Sequence, residues 1–254
     1  MKRNAIVRII IYTILALVLT GVLIAGIEDE FYLYQTSIGR AVKESVEYDP
    51  TMVNKLEINW ASGKVILIPY DTEQIILRQS NPEESTEKMY CALDGGTLKI
   101  DYSKRPFHIG TLPEKELLIL VPSDWVCEEL EIDGASLQIE IRDQDIGKID
   151  LDGASCRLNF SGSVENVEVD GASADIHLVC SNRISSISVD GASCKLDVTL
   201  PAGCGFRVDM DGLGCKFNSD LPGIAQNGHY SYGDQQCKIE VDGLSCEVNI
   251  SAAE

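Results

Sequence analysis

The chain has 254 residues, of which 44% are hydrophobic, 24% are charged and only 6% are aromatic. This composition allows a buried core of small aliphatic side chains and excludes wholesale disorder. The 40 acidic residues outnumber the 21 basic ones and give a net charge of -19. Because such a surface repels phosphate, we do not expect a nucleic-acid partner.

The first predicted element is an uncharged segment at residues 9–27, rich in Ile, Leu, Val and Ala, with Lys2, Arg3 and Arg8 before it and an acidic run at residues 28–30 after it. A helix of this length nearly spans the ~30 Å hydrocarbon core of a bilayer. The basic flank is expected to stay in the cytoplasm. We therefore predict a cytoplasmic tail at residues 1–8 and a single-pass transmembrane helix at 9–27 in the cell membrane, with an extracytoplasmic C-terminal domain. A cleaved signal peptide is the alternative, which the length of the apolar segment disfavours.

A repeat dominates the rest of the chain, where we predict a juxtamembrane linker at residues 28–55 and a β-strand domain at residues 56–250. An Asp-Gly pair followed by Ala-Ser or a close variant begins at Asp133, Asp152, Asp170, Asp190, Asp211 and Asp242. The intervals are 19, 18, 20, 21 and 31 residues. The longest interval contains a polar insert at residues 218–236, predicted to be an extruded loop. A period of this size indicates repeated units that stack.

Apolar residues alternate on both sides of each Asp-Gly pair, which predicts two strands per unit. The alternation includes Leu130 and Ile132 before the first pair and is expected to resume one position out of step at Ala135 and Leu137. This shift predicts a corner at the pair. The predicted fold is therefore all-β, a parallel β-solenoid whose successive units pair in chain order, with one N-terminal transmembrane helix. The equivalent residues expected to point inward after the later corners are Ala154, Ala172, Ala192, Leu213 and Leu244.

Upstream of the first clear unit the same pattern is fainter. We predict corresponding corners at Asn59-Trp60 and at Asp94-Gly95. Two further apolar runs, residues 74–77 and 116–122, are predicted to be strands of wider coils or of a small leading sheet.

The nine cysteines invite a disulfide or metal interpretation. Four of them share one predicted inward register with a leucine and an alanine, namely Cys156, Cys194, Cys215 and Cys246 with Leu137 and Ala174. This interchange indicates a buried position for a small hydrophobic residue. Disulfides between Cys194 and Cys215, or between Cys215 and Cys246, are the alternative, although in-register parallel strands hold Cβ atoms wider apart than a relaxed bridge prefers. No zinc-ligand spacing occurs, so neither a metal nor a cofactor is predicted.

The corner aspartates are the candidate site residues. Stacked carboxylates repel one another unless backbone N–H groups or shared cations neutralise them. We favour capping of the turns and keep as candidate cation ligands Asp133, Asp152, Asp170, Asp190, Asp211 and Asp242. No catalytic or cofactor-binding residue is predicted, because the three histidines, His108, His177 and His229, share no motif and no nucleophile or phosphate-loop motif occurs.

Two outward columns are expected to follow the corners. The first consists of Ser136, Ser155, Ser173, Ser193, Gly214 and Ser245. The second consists of Gln138, Arg157, Asp175, Lys195, Lys216 and Glu247. Both are interpreted as a solvated sheet face, with a glycan-binding strip as the alternative.

Several segments resemble the putative-adhesin family of β-strand-repeat bacterial envelope proteins, a family of unknown function. They are Lys55–Val65, Gly96–Tyr102, Leu117–Pro122 and Tyr232–Ile250. The resemblance covers roughly residues 52–250 and implies a solenoid domain, often behind a membrane anchor, in a bacterium. It implies no catalytic residue. The chain departs from the family in its regular Asp-Gly-Ala-Ser corners and its number of cysteines.

We therefore expect a membrane-anchored, non-enzymatic module for scaffolding, adhesion or sensing at the cell envelope. Its expected partner is an envelope protein or a glycan, and self-association is expected to be possible through the edge of the last unit, residues 240–250. The alternatives are a carbohydrate-active β-helix enzyme of the envelope and a cation-dependent adhesion module.

Overall fold

Fifteen strands and one 3₁₀ turn form the regular structure in the part of the chain that the computed structural model describes, residues 39–42, 45–80, 88–103, 114–182, 184–226 and 229–253. The strands are β1 (Arg40–Val42), β2 (Ser45–Tyr48), β3 (Lys55–Asn59), β4 (Ser62–Tyr70), β5 (Ile75–Gln79), β6 (Met89–Asp94), β7 (Thr97–Asp101), β8 (Lys115–Pro122), β9 (Val126–Cys180), β10 (Ser186–Leu200), β11 (Phe206–Asp211), β12 (Lys216–Ser219), β13 (Ile224–Gln226), β14 (His229–Tyr232) and β15 (Cys237–Ala252). The 3₁₀ turn spans Pro50–Met52. The predicted apolar runs at residues 74–77 and 116–122 thus lie in or overlap strands β5 and β8.

All the strands belong to one sheet. Its main path runs β1-β6-β7-β3-β9-β10-β15-β11-β14-β13, and β12 pairs with β15, β4 with β8 and β9, and β5 with β2 and β8. The pairs formed by the Asp-Gly repeats, β9 with β10, β10 with β15, and β15 with β11 and β12, are parallel and in register. The pairs at the ends of the path, β1 with β6, β6 with β7, β11 with β14 and β14 with β13, are antiparallel.

The Asp-Gly corners lie in a row, and glycine is what allows them to stack. Strand β9 contains three of these corners, and 55 residues drawn out straight would extend ~180 Å. A Cβ atom added to Gly153 would lie 2.5 Å from the carbonyl oxygen of Gly134, and one added to Gly191 would lie 2.0 Å from that of Gly171. The backbone of each corner therefore presses against the next, at a distance that a side chain would prevent.

The parallel β-solenoid of the predicted fold class is wrong, and the described residues give no support for its N-terminal transmembrane helix. The described residues are nearly all β, but the sheet is mixed and is not closed, since its path ends at β1 and β13 and both ends are antiparallel. The units do not follow chain order either, because β15 lies between β10 and β11. Within the described ranges no helix has the length and apolarity that a membrane crossing requires. The predicted span, residues 9–27, lies outside those ranges.

The order of the units differs from chain order, and the polar insert that precedes the displaced unit is structured. Residues 218–236 were predicted to be an extruded loop, yet they contain the β13–β14 hairpin, which pairs with β11. The chain therefore continues past β11 and β12, turns back through the hairpin and returns as β15 into the space beside β10. The edge of residues 240–250, predicted to be open, is covered by β11 and β12.

Two local predictions about the corners are also wrong. The residues expected to point inward directly after each Asp-Gly pair are exposed, namely Ala135, Ala154, Ala172, Ala192, Leu213 and Leu244. The corner takes up more residues than the predicted shift of one position. The first buried residue therefore comes two positions later than expected, such as Leu137 instead of Ala135. Asp94-Gly95 is not a corner but the tight turn of the β6–β7 hairpin, where Gly95 and Gly96 both have positive φ.

The core is a continuous set of buried aliphatic, aromatic and cysteine side chains. At its β3–β4 end Trp60 is fully buried, packs edge-on against Tyr102 at 5.3 Å and donates its indole N–H to the carbonyl oxygen of Lys115. The Lys115 ammonium lies 3.8 Å from the centre of the Tyr102 ring and donates to the Tyr102 carbonyl oxygen. This cluster closes the core on that side.

Candidate functional site

Parallel in-register pairing converts each position of the repeat into a column of side chains. The corner column contains the six predicted cation candidates in the spatial order Asp133, Asp152, Asp170, Asp190, Asp242 and Asp211, with Asn59 beside Asp133. The structure thus brings the candidates together, in an order that chain position does not predict.

The corner column concentrates negative charge. The pKa of Asp133 is raised to about 7, first by burial and then by the charges of Asp152 and Glu131. The pKa of Asp170 is also raised, by burial and by Asp190. Within the ranges that the structure describes, no group of three or more His, Cys, Asp or Glu side chains is arranged to hold a metal ion. Cation binding at these six residues stays a prediction.

A thiol column lies on the inner side of the corners. It consists of Cys156, Ala174, Cys194, Cys246 and Cys215 in spatial order, all buried except Cys215, which is half-buried. Burial raises the pKa of the Cys156 thiol to about 11. None of the nine cysteines, all of which lie in the described ranges, forms a disulfide in the structure. Because Cys246 lies between Cys194 and Cys215, those two residues are not neighbours, contrary to one of the pairings considered from sequence.

The predicted outward columns are present and form a shallow groove near the β12 side of the sheet. The hydroxyl column, Ser136, Ser155, Ser173, Ser193, Ser245 and Gly214 in spatial order, is exposed throughout. Along Ser173, Ser193 and Ser245 it borders a depression of about 270 Å³, which we call the hydroxyl groove. The groove is also lined by Asp175, Lys195, Glu247 and Lys216, and by Ala174, Cys194 and Cys246, whose side chains are buried.

The charged column beside the groove alternates in sign, in the order Arg157, Asp175, Lys195, Glu247 and Lys216. Arg157 forms an ion pair with Asp175 at 2.9 Å. The Lys195 ammonium lies 2.7 Å from a carboxylate oxygen of Asp197. Opposite charges on adjacent strands stabilise the stacking of units and leave both signs available to a ligand.

A polar network continues from this column toward the end of β15. His177 lies between two carboxylates, with Nε2 3.1 Å from Asp175 and Nδ1 3.0 Å from Asp197. Burial opposes ionisation of Asp197, but hydrogen bonds from Lys195 and Asn249 outweigh it and hold the pKa of Asp197 below its usual value. Sequence reasoning treated His177 as isolated, whereas the repeat register, which pairs it with Asp197, was the signal that could have found the contact.

The comparisons with known proteins show similarity in fold. No protein-family model matches the chain, and no curated protein matches it. A structure described as a putative cell adhesion protein from Clostridium sporogenes aligns with a TM-score of 0.54 and 12% identity over 84% of this chain and all of that one. A putative adhesin from Bacteroides fragilis aligns at 0.44 and 12% over 86% of this chain and 99% of that one. A putative lipid binding protein from Parabacteroides distasonis aligns at 0.31 and 14%, over 85% and 98%. The first alignment shows a shared fold and, at that identity, nothing about a shared ligand.

Proposed function

We propose that the chain is a non-enzymatic, adhesion-type module of the bacterial cell envelope that binds a cell-wall glycan in the hydroxyl groove. The observation that carries the proposal is the groove itself, where a row of serine hydroxyls lies beside alternating positive and negative side chains. Hydroxyls both donate and accept hydrogen bonds, as sugar hydroxyls do. A row repeated at the ~4.8 Å strand spacing offers such partners along a polymer.

Two exposed leucines beside the groove support the same ligand class. Leu213 is 95% exposed and precedes Gly214, and Leu244 is 66% exposed and precedes Ser245. Large apolar side chains that are exposed next to a polar depression are typical of a binding surface. Here they supply the apolar contact that the C–H faces of a sugar ring require.

The test is co-sedimentation of the full-length chain with purified bacterial cell-wall polysaccharide, comparing Ser193→Leu with Ser136→Leu. Both serines are exposed members of the hydroxyl column, but only Ser193 lines the groove. We expect Ser193→Leu to lower the bound fraction about tenfold, because the leucine fills the depression and removes a hydroxyl. Ser136→Leu is expected to bind like the wild type.

The same samples distinguish the rival functions. Equal binding by both variants, or no binding by the wild type, would contradict the proposal. New reducing ends in the supernatant would identify a carbohydrate-active enzyme instead. Binding that disappears in a chelator and returns with calcium would identify a cation-dependent module centred on the corner column.

A further inference from the structure

Strand β12 has one open edge in a sheet whose other end is covered. At the far end, β7 pairs with β3 and β8 pairs with β4, so both strands of that unit are covered. At the near end the β13–β14 hairpin covers β11, whereas β12 pairs only with β15 among the described strands. A strand with one unpaired edge presents backbone N–H and C=O groups that can pair with an added strand.

The open edge carries the backbone groups of Phe217 and Ser219. The N–H of Asp220 donates to the carbonyl oxygen of Ile250, so residue 220 and, by alternation, residue 218 face β15. Phe217 and Ser219 therefore direct their N–H and C=O groups away from the sheet. Strand β12 is held firmly behind this edge, because the Phe217 ring stacks on Tyr230 at 4.3 Å.

Charge indicates what the edge binds. The alternating column ends at this edge on Lys216, whose neighbour in the column, Glu247, also accepts a hydrogen bond from Asn249. Lys216 has no carboxylate within ion-pair distance among the described residues, whereas Lys195, Lys238 and Arg157 each have one. The next strand in the alternation would place an acidic side chain beside Lys216.

The polar column next to Lys216 gives a second requirement. Asn249 donates to Asp197 at 2.6 Å, and Asn218 donates to Asn249 at 2.8 Å, so side-chain hydrogen bonds run across three strands and end on Asn218 at the open edge. An added strand in the same register would place an amide or hydroxyl beside Asn218. The edge thus selects an acidic residue followed two positions later by a polar one.

We propose that the open edge of β12 binds an extended polypeptide segment that runs parallel to β12, with an acidic residue beside Lys216 and an amide or hydroxyl residue beside Asn218. A second copy of the chain does not meet this requirement through β12 alone, since two-fold antiparallel pairing of Lys216–Ser219 would set Lys216 against Ser219. The edge lies at the end of the hydroxyl groove, but glycan binding through Ser193 and strand addition at Ser219 can fail independently.

The chain contains a segment of the required pattern, which serves as the probe. Strand β15 places Glu247 beside Lys216 and Asn249 beside Asn218 on the covered side of β12. A labelled synthetic peptide with the sequence of residues 243–252, carrying Cys246→Ser, is titrated with the full-length chain by fluorescence anisotropy. A matched peptide also carries Glu247→Lys.

We expect the wild type to prefer the glutamate peptide and Lys216→Glu to prefer the lysine peptide, each by about tenfold, because the pair changes from opposite to like charge. Lys238→Glu is the control, since that exposed lysine lies on β15 and is paired with Glu240. Ser219→Pro is expected to abolish binding of both peptides, because it removes an outward N–H that β15 does not use. Thermal unfolding of each variant establishes that it is folded.

Three results would overturn the proposal. The first is equal affinity of Lys216→Glu and the wild type for the two peptides. The second is binding that survives Ser219→Pro, which would mean that the peptide displaces β15 rather than adding to β12. The third is concentration-dependent dimerisation of the wild type that Lys216→Glu abolishes, which would identify a second copy as the occupant.

Discussion

The two ends of the stack of repeat units, β3–β4 and β11–β12, are protected in different ways. At the β3–β4 end both strands of the unit are covered, and a buried cluster of Trp60, Tyr102 and Lys115 closes the core. At the β11–β12 end the hairpin covers one strand, and an aromatic stack of Phe217 on Tyr230 closes the core from within. Stacked repeats need protection at both ends against edge-to-edge association. The β3–β4 end is therefore a complete cap, whereas the β11–β12 end combines a partial cap with an exposed strand.

The largest expected effect separates the ends by stability. Trp60→Ala removes a fully buried side chain and its hydrogen bond, so we expect the free energy of unfolding to fall by about 3–5 kcal/mol. Chemical denaturation measures the change. Trp60→Phe keeps most of the packing and is expected to lose much less. A loss below about 1 kcal/mol for Trp60→Ala would show that this end is not a structural cap.

The next effect compares a corner glycine with a glycine of the hydroxyl column at the β12 end. Gly191→Ala forces a methyl group to within 2.0 Å of a backbone oxygen of the neighbouring unit, whereas the nearest atom for Gly214→Ala is 3.1 Å away. We expect a loss of about 2–3 kcal/mol for the first substitution and about 0.5 kcal/mol for the second. Thermal unfolding of the two variants gives the comparison, and equal losses would contradict the view that the Asp-Gly corners are the positions where neighbouring units press together.

A smaller effect is expected from the aromatic stack at the β12 end. Phe217→Ala removes a half-buried ring, so we expect about 1–2 kcal/mol of destabilisation, well below that of Trp60→Ala. The same variant should bind the residue 243–252 peptide less tightly, because β12 is no longer held against Tyr230. Phe217→Leu is the control that retains an apolar side chain. A loss of stability as large as that of Trp60→Ala would make the two ends equivalent.

The smallest effect concerns the acidic column and depends on pH. Because the pKa of Asp133 is raised to about 7 in the folded chain, ionisation above its ordinary value near 4 opposes folding, and the cost is complete only above pH 7. Asp133→Asn is therefore expected to stabilise the chain at pH 8, by about 1 kcal/mol since the carboxylate is partly screened by water, and to have little effect below pH 4. Unfolding curves at both pH values measure this. Asp211→Asn, at the exposed end of the column, is the matched control, and an equal gain there would remove the difference between the two ends.

The local parts of the structure follow from the amino-acid sequence. Alternation correctly places Leu130 and Ile132 in the core, and interchange of Cys194 with Ala174 correctly indicates a buried small side chain. Both depend on period two within a strand, which neighbouring residues determine. The exposed serine and charged columns follow from the same register.

The remaining parts depend on contacts between distant segments. The corner at Asp133 and the hairpin turn at Asp94 are both Asp-Gly pairs between alternating strands, and the one local difference is the following residue, Ala135 or Gly96. The Gly95-Gly96 pair, which is typical of a two-residue hairpin turn, was the signal that could have separated them. The position of β15 beside β10 is decided by pairing between residues 52 apart, such as Asp190 and Asp242. The shape of the hydroxyl groove depends on that order of strands. The sequence therefore predicts the exposed serines of the groove but not its shape.

The place of β15 has a consequence for how the chain is made. Residues 237–252 leave the ribosome after β10 and β11, yet they occupy the position between these two strands. Until they arrive, the edge of β10 presents unpaired backbone N–H and C=O groups, and direct β10–β11 pairing is a competing arrangement that must be avoided or undone. The sheet is therefore completed only after residue 252 has emerged, and a ribosome stalled shortly before residue 237 would hold a species prone to aggregation.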